Sequence, residues 1–137
     1  MRTFPWLFCG LVLSVACGGG VSGPSESSLV GTWHATKMEY ISKAGGGQVE
    51  LVSQGWAAVL SLDADRTGTL AVTPAALPAW SWTGVWEVDG DLFRIAGQGA
   101  DITLSGGTLR LNGFDGVYDF DGDGTPDPAK LNLVLVQ

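Results

Sequence analysis

Four aspartates lie close together near the C-terminus of the chain, three of them at alternate positions, in a glycine-rich setting. Calcium is a hard cation that takes about six to eight oxygen ligands at about 2.3–2.6 Å. Carboxylates at alternate positions of a curled loop converge on one point, and Gly124 permits the turn. We therefore predict a structural calcium site with side-chain oxygens of Asp119, Asp121 and Asp123, the backbone carbonyl of Thr125, and Asp127 directly or through water. The alternative is an Asp/Gly turn held by Asx hydrogen bonds alone.

The loop pattern D-x-D-x-D-G-x-x-D, from Asp119 to Asp127, resembles EF-hand and related calcium loops. The twelfth position is Lys130 instead of a bidentate glutamate, and no flanking helices are predicted. The loop is therefore not an EF-hand, and its affinity should be modest. Outside cells, calcium sites with a Kd of about 10⁻⁴–10⁻³ M are sufficient. We expect the ion to fix the connection that precedes the last strand.

Five tryptophans of the domain are candidate ligand contacts. Three of them alternate along one segment, so large apolar groups fall on one face of a predicted strand over Trp80–Val88. Aromatic side chains often line small-molecule pockets, but such a stripe is also typical of a packed core. The candidate ligand-binding residues are Trp33, Trp56, Trp80, Trp82 and Trp86.

The sequence contains no pattern that predicts catalysis. His34 is the single histidine and has no partner at a recognisable spacing. No nucleophile motif and no phosphate-binding loop occur, so we expect no enzyme activity. The formal net charge of −7 argues against nucleic acid as a partner.

Residues 1–16 have the layout of a secretory signal, with Arg2 followed by an apolar stretch and small residues before Cys17. Cleavage there leaves Cys17 as the single cysteine of the mature chain, which excludes an internal disulfide. Cys17 and the glycines after it resemble the lipobox of bacterial lipoproteins, although Ser14 replaces the usual leucine. The resemblance implies a lipid-anchored protein of the cell envelope, attached to the outer membrane; simple secretion remains the alternative. Residues 17–28 are predicted to be a flexible linker.

Residues 29–137 carry turn signals every 8 to 12 positions and predict an all-β domain. We expect about eight to ten antiparallel strands in an up-and-down barrel, a monomer, and no helix; the alternative is a two-sheet sandwich. Strands are predicted over Leu29–Ser42 and Val49–Ser53, whereas Phe114–Phe120 could be a strand or irregular.

Gly31-Thr32-Trp33, with Tyr40 following, resembles the Gly-x-Trp opening of lipocalin-like proteins. That resemblance implies an eight-stranded barrel with a central cavity and with Trp33 closing one end. The second lipocalin motif, the arginine that stacks on the tryptophan and the C-terminal helix are missing from the sequence. Two functions follow as hypotheses. One is a membrane-anchored binding module for a small apolar ligand, and the other is a solid-core protein-interaction domain.

Overall fold

The structure is a computed structural model that describes residues 23–137. This part of the chain contains nine strands, one turn of α-helix and one short 3-10 helix. The helices are α1 (Glu26–Leu29) and the 3-10 helix Val52–Gln54. The strands are β1 (Gly31–Ser42), β2 (Gln48–Glu50), β3 (Ala57–Leu62), β4 (Thr67–Thr73), β5 (Trp80–Asp89), β6 (Leu92–Ile95), β7 (Gln98–Ser105), β8 (Thr108–Tyr118) and β9 (Asp127–Val136).

The strands form a closed antiparallel barrel. Consecutive strands pair from β3 to β9, and β1 pairs with both β3 and β9, so the sheet has no free end along this path. Eight strands make the barrel, and β2 is a short extra strand on β1. This confirms the predicted up-and-down barrel. The sandwich alternative is wrong, because every strand described belongs to one hydrogen-bonded sheet.

Strands β2 and β3 pair with the same edge of β1, at different positions along it. His34 pairs with Val59 on one side and Val136 on the other, so β3 and β9 lie on opposite edges. Tyr40 likewise lies between β2 and β9. Met38 lies on β1 between the residues that pair with β3 and those that pair with β2, and its backbone N–H donates to Oε2 of Glu50 at 3.0 Å. The carboxylate thus takes the place of a missing strand carbonyl.

Glu50 also accepts hydrogen bonds from the backbone N–H groups of Val52 at 2.8 Å and Ser53 at 2.9 Å. Partial burial raises the pKa of Glu50, but these N–H groups and that of Met38 outweigh it and lower the pKa from 4.5 to about 2. The stability contributed by the ionised carboxylate is therefore present above pH 4.5 and lost as the pH falls towards 2.

We expect Glu50→Gln to lower the free energy of unfolding by about 1 kcal/mol at neutral pH, because charge-assisted hydrogen bonds become weaker neutral ones. The loss should shrink as the pH falls towards 2, where wild-type Glu50 is itself protonated. Thermal unfolding between pH 7 and 2.5 measures this loss, with Glu87→Gln as the control on a half-exposed carboxylate. An equal loss at every pH would contradict the assigned role.

The inward faces of the strands fill the middle of the barrel. On β5 the alternation follows the sequence prediction: Ser81, Thr83 and Val85 are exposed, and Trp86 on the other face is buried. Phe114 of β8 contacts Trp82 of β5 with ring centroids 5.3 Å apart, although two strands separate β5 from β8. This contact crosses the interior. The central cavity implied by the lipocalin resemblance is therefore occupied here by side chains.

One end of the barrel is closed by the segment before β1. Leu29 is fully buried, and its carbonyl accepts a hydrogen bond from Nε1 of Trp33 at 2.9 Å. Glu26 forms an ion pair with Arg66 at 2.8 Å. We call this region, with the 63–66 hairpin and the C-terminus, the closed end. Within residues 23–137, no helix is long and apolar enough to cross a membrane.

Two local predictions need correction, and a third that was left open is resolved. The helical turn Glu26–Leu29 occurs where no helix was expected, because Leu29 turns inward to cover Trp33. The strand predicted to reach Ser53 ends at Glu50, and a 3-10 turn follows. The segment left open at Phe114–Phe120 belongs to β8 as far as Tyr118. Strand β8 passes through a bulge at Gly113, whose φ is 96°.

Candidate functional site

The end of the barrel opposite the closed end is open and aromatic. We call it the mouth; it is bounded by the loops 43–47, 51–56, 74–79 and 119–126. Strands β1 and β8 end there, and β5 and β9 begin there, so the antiparallel order brings residues distant in sequence to one rim.

Two adjoining hollows open at the mouth. The outer hollow has a volume of about 480 Å³, and the inner one about 290 Å³. They share Tyr40, Trp80 and Val117, so they form one stepped depression. Trp56 and Tyr118 line the outer hollow, and the inner one is lined in addition by Trp82, Asp115, Gly116 and Leu131. Pockets of about 300–1,000 Å³ hold drug-sized ligands, so the combined space suits a small molecule.

The rim of the outer hollow exposes apolar side chains to solvent. Leu77 is 63% exposed and Val117 is 58% exposed, and both line this hollow together with Pro78. Large exposed apolar groups that gather around one concavity are typical of a binding surface, whereas scattered ones need no explanation.

Aromatic contacts hold the walls in place. Tyr40 stacks on Tyr118 with centroids 5.3 Å apart, and Trp56 lies 6.4 Å from Tyr118 at an angle of 57°. Trp80 packs against Trp82 at 5.3 Å. The contacts of Tyr118 tie β1 and β8 to the segment before β3, and the contact of Trp82 with Phe114 ties β5 to β8. The wall is therefore formed before any ligand arrives.

Tyr40 is placed by the absence of a side chain at Gly116. A Cβ on Gly116 would lie 3.0 Å from Cε1 of Tyr40, so the ring occupies the space that another residue would fill. Burial, with a further contribution from Tyr118, raises the pKa of Tyr40 to about 12. The phenol is therefore neutral at physiological pH and acts as an aromatic wall of the mouth.

The acidic loop borders the mouth, and Asp119 and Pro126 line the outer hollow. Carboxylate oxygens of Asp119, Asp121 and Asp127 lie within 4.8 Å of one another. Asp123 is outside this group, and its Oδ1 accepts a hydrogen bond from the backbone N–H of Thr125 at 2.8 Å. The predicted ligand set is thus only partly brought together.

The loop also contains the Asx hydrogen bonds of the alternative interpretation. Asp119 accepts the backbone N–H of Gly122 at 2.9 Å through Oδ1 and that of Gly124 at 2.9 Å through Oδ2. The N–H of Asp123 donates to Asp121 at 3.1 Å. The loop is therefore curled by its own carboxylates, and these bonds leave further oxygen lone pairs that could ligate a cation.

The carboxylates of Asp119 and Asp121 titrate unequally. The N–H of Gly124 is the main cause of the lowered pKa of Asp119. The N–H of Asp123 lowers the pKa of Asp121, but the hydrogen bond with Asp119 and the nearby charge of Asp123 outweigh it, so the net direction is upward. When the pH falls, Asp121 therefore takes up a proton before Asp119, as expected for crowded like charges.

Asp115 does not belong to this acidic group. Its Oδ1 accepts hydrogen bonds from Nζ of Lys43 at 2.7 Å and Nζ of Lys130 at 2.9 Å. The lysines, Lys43 first, lower the pKa of Asp115 to about 2. Lys130, at the twelfth position of the loop pattern, therefore pairs with a carboxylate on β8.

The five candidate tryptophans separate into two groups. Trp56, Trp80 and Trp82 line the hollows at the mouth. Trp33 and Trp86 are 2% and 1% exposed and lie at the closed end, where Nε1 of Trp86 donates to the carbonyl of Asp63 at 3.0 Å.

Sequence reasoning missed Tyr40, Tyr118, Leu77 and Val117 as lining residues. Only the strand order brings them together, and no local motif marks them.

No protein-family model matches the chain, and no curated protein matches it. The fold is that of a small lipocalin-like barrel. Cys17, the predicted lipidation site, lies outside the described residues.

Proposed function

We propose that the protein is a lipid-anchored binding module of the bacterial cell envelope that takes a small apolar ligand in its mouth. The stepped aromatic depression with exposed Leu77 and Val117 at its rim carries this proposal. A ligand seated there would cover apolar surface at the rim, which favours binding. Because the interior below Phe114 is packed, the ligand is held at the end of the barrel and not within it.

The second candidate is a protein-interaction domain, and the packed interior favours it. In that case Leu77 and Val117 would contact a side chain of another protein. The preformed walls and the combined volume of the two hollows support the small-molecule proposal instead, since a flat partner would leave the inner hollow unfilled.

Replacing Trp80 tests the binding function, because its side chain lines both hollows. We expect Trp80→Ala to weaken binding of the neutral apolar probe N-phenyl-1-naphthylamine by about tenfold, a change of about 1.4 kcal/mol. Probe fluorescence during titration of the purified protein measures it. Val85→Ala is the matched control, since Val85 is 64% exposed on the outer face of the same strand. Equal affinity in wild type and Trp80→Ala would rule out this site.

We also propose that the acidic loop binds calcium and that this ion has a structural role. The grouping of Asp119, Asp121 and Asp127 supports it. An ion there would stiffen the link between β8 and β9 and thereby fix the side of the mouth formed by Asp119 and Pro126.

The lipid anchor is proposed from the sequence around Cys17. The described chain starts beside the closed end, where Gly23 lies against Gly90 and Glu26 pairs with Arg66. An anchor attached upstream would hold the closed end nearer the membrane, and the mouth would then face away from it.

We expect Cys17→Ala to move the protein from the membrane fraction to the soluble fraction, because a thioether-linked lipid cannot form without the sulfur. Fractionation of cells that express the chain, followed by immunoblotting, measures the distribution. Cys9→Ala is the control, since it removes a cysteine without affecting the proposed site. Full membrane retention of Cys17→Ala would contradict the anchor.

A further inference from the structure

The outer hollow combines aromatic walls with a negative edge. Among the described residues that line it, Asp119 alone carries a formal charge at neutral pH; the others are aromatic, aliphatic or proline. Tyr40 stays a neutral phenol, as described above. An apolar ligand without charge would use the walls and leave the carboxylate edge unused.

Three further carboxylates lie behind that edge, on Asp121, Asp123 and Asp127. Lys43 and Lys130 offset them only in part, because both bind Asp115 at the inner hollow, and these three residues together carry a formal charge of +1 against −4 for the acidic loop. The potential at the outer hollow is therefore negative, and it attracts cations and repels anions.

Aromatic faces add a second attraction for cations. The negative face of an indole or phenol ring binds ammonium groups, and tryptophan does so best. Trp56, Trp80 and Tyr118 all border the outer hollow, with Trp56 tilted by 57° from Tyr118, so rings approach the space from different directions. A cluster of this kind beside a carboxylate suits an organic cation better than a neutral hydrocarbon.

We propose that the ligand of the outer hollow is an organic amine or quaternary ammonium compound with an apolar body. The apolar body lies against Trp80 and Leu77, and the cationic group lies between the ring of Trp56 or Tyr118 and the carboxylate of Asp119. This inference rests on the proposed function, since it names the ligand class of the same site.

Three small molecules of matched size test it: 2-phenylethylamine, 2-phenylethanol and phenylacetate, which are a cation, a neutral molecule and an anion. Isothermal titration of the purified protein is carried out in chelator, because a calcium ion in the acidic loop would neutralise the carboxylate of Asp119 that the amine uses. We expect the amine to bind about fivefold more tightly than the alcohol, and the anion most weakly. Added salt should weaken binding of the amine and leave binding of the alcohol unchanged.

Asp119→Asn should remove the preference for the amine and keep the affinity for the alcohol. Asp123→Asn is the matched control, because Asp123 does not line the hollow. If Asp119→Asn disturbs the loop and loses both ligands, the salt dependence of the wild type decides the question.

Equal binding of amine and alcohol at every salt concentration would overturn the cation inference and leave the apolar binding function standing. Failure of all three compounds to bind would overturn both.

Discussion

Trp86→Ala is expected to lower the free energy of unfolding by about 3–5 kcal/mol, as for other large-to-small changes of buried aromatic residues. The side chain is 1% exposed, its ring packs against Phe93 with centroids 6.4 Å apart, and its indole N–H donates to the carbonyl of Asp63. Truncation leaves a cavity at the closed end and removes that hydrogen bond. Urea unfolding followed by circular dichroism measures the loss.

Trp80→Ala is the control for this prediction. Trp80 lies on the same face of β5 but at the mouth, where it is only partly buried. We expect its truncation to cost less than about 2 kcal/mol, because less surface leaves water on folding. A larger cost for Trp80→Ala than for Trp86→Ala would contradict the assignment of the two ends of the barrel.

Millimolar calcium is expected to raise the melting temperature of the wild-type protein by several degrees relative to chelator. With a Kd of about 10⁻⁴ M, 1 mM calcium is at about ten times Kd, and a site on the folded state alone then adds about 1.4 kcal/mol to the free energy of unfolding. Differential scanning calorimetry measures the shift. The rise should diminish as the pH falls through the raised pKa of Asp121, because protons then compete with calcium for the carboxylates.

Two isosteric variants separate a metal site from a simple turn. Asp121→Asn should abolish the calcium response, since Asp121 contributes to the close group of carboxylates. Asp123→Asn should retain most of it, because Asp123 lies outside that group and its amide oxygen can still accept the N–H of Thr125. A wild-type response in Asp121→Asn would reduce the loop to an Asx turn.

The barrel was predictable because its strands carry local signals. The alternation at Trp80–Val88 predicts a strand without reference to the rest of the chain. Closure by β1 and β9 joins residues about a hundred positions apart. Here the general cost of exposed strand edges and the lipocalin-like opening Gly31-Thr32-Trp33 favoured the barrel over the sandwich.

The mouth was less predictable, because its composition depends on which strands end together. Tyr40 and Tyr118 are far apart in sequence, and their stacking follows from the pairing of both β1 and β8 with β9. The pairing of Asp115 with Lys43 and Lys130 likewise depends on the register of these strands. The acidic loop was easier to predict because its ligands are close in sequence. The spacing did not show that Asp123 turns towards Thr125.

Nuclear magnetic resonance of the indole N–H groups tests the central claim most directly. The indoles of Trp56 and Trp80 report on the mouth, and those of Trp33 and Trp86 report on the closed end. On titration with a neutral apolar ligand such as 2-phenylethanol, we expect saturable shifts for Trp56 and Trp80, with Trp33 and Trp86 unchanged. Absence of any shift, or shifts confined to Trp33 and Trp86, would contradict a ligand site at the mouth.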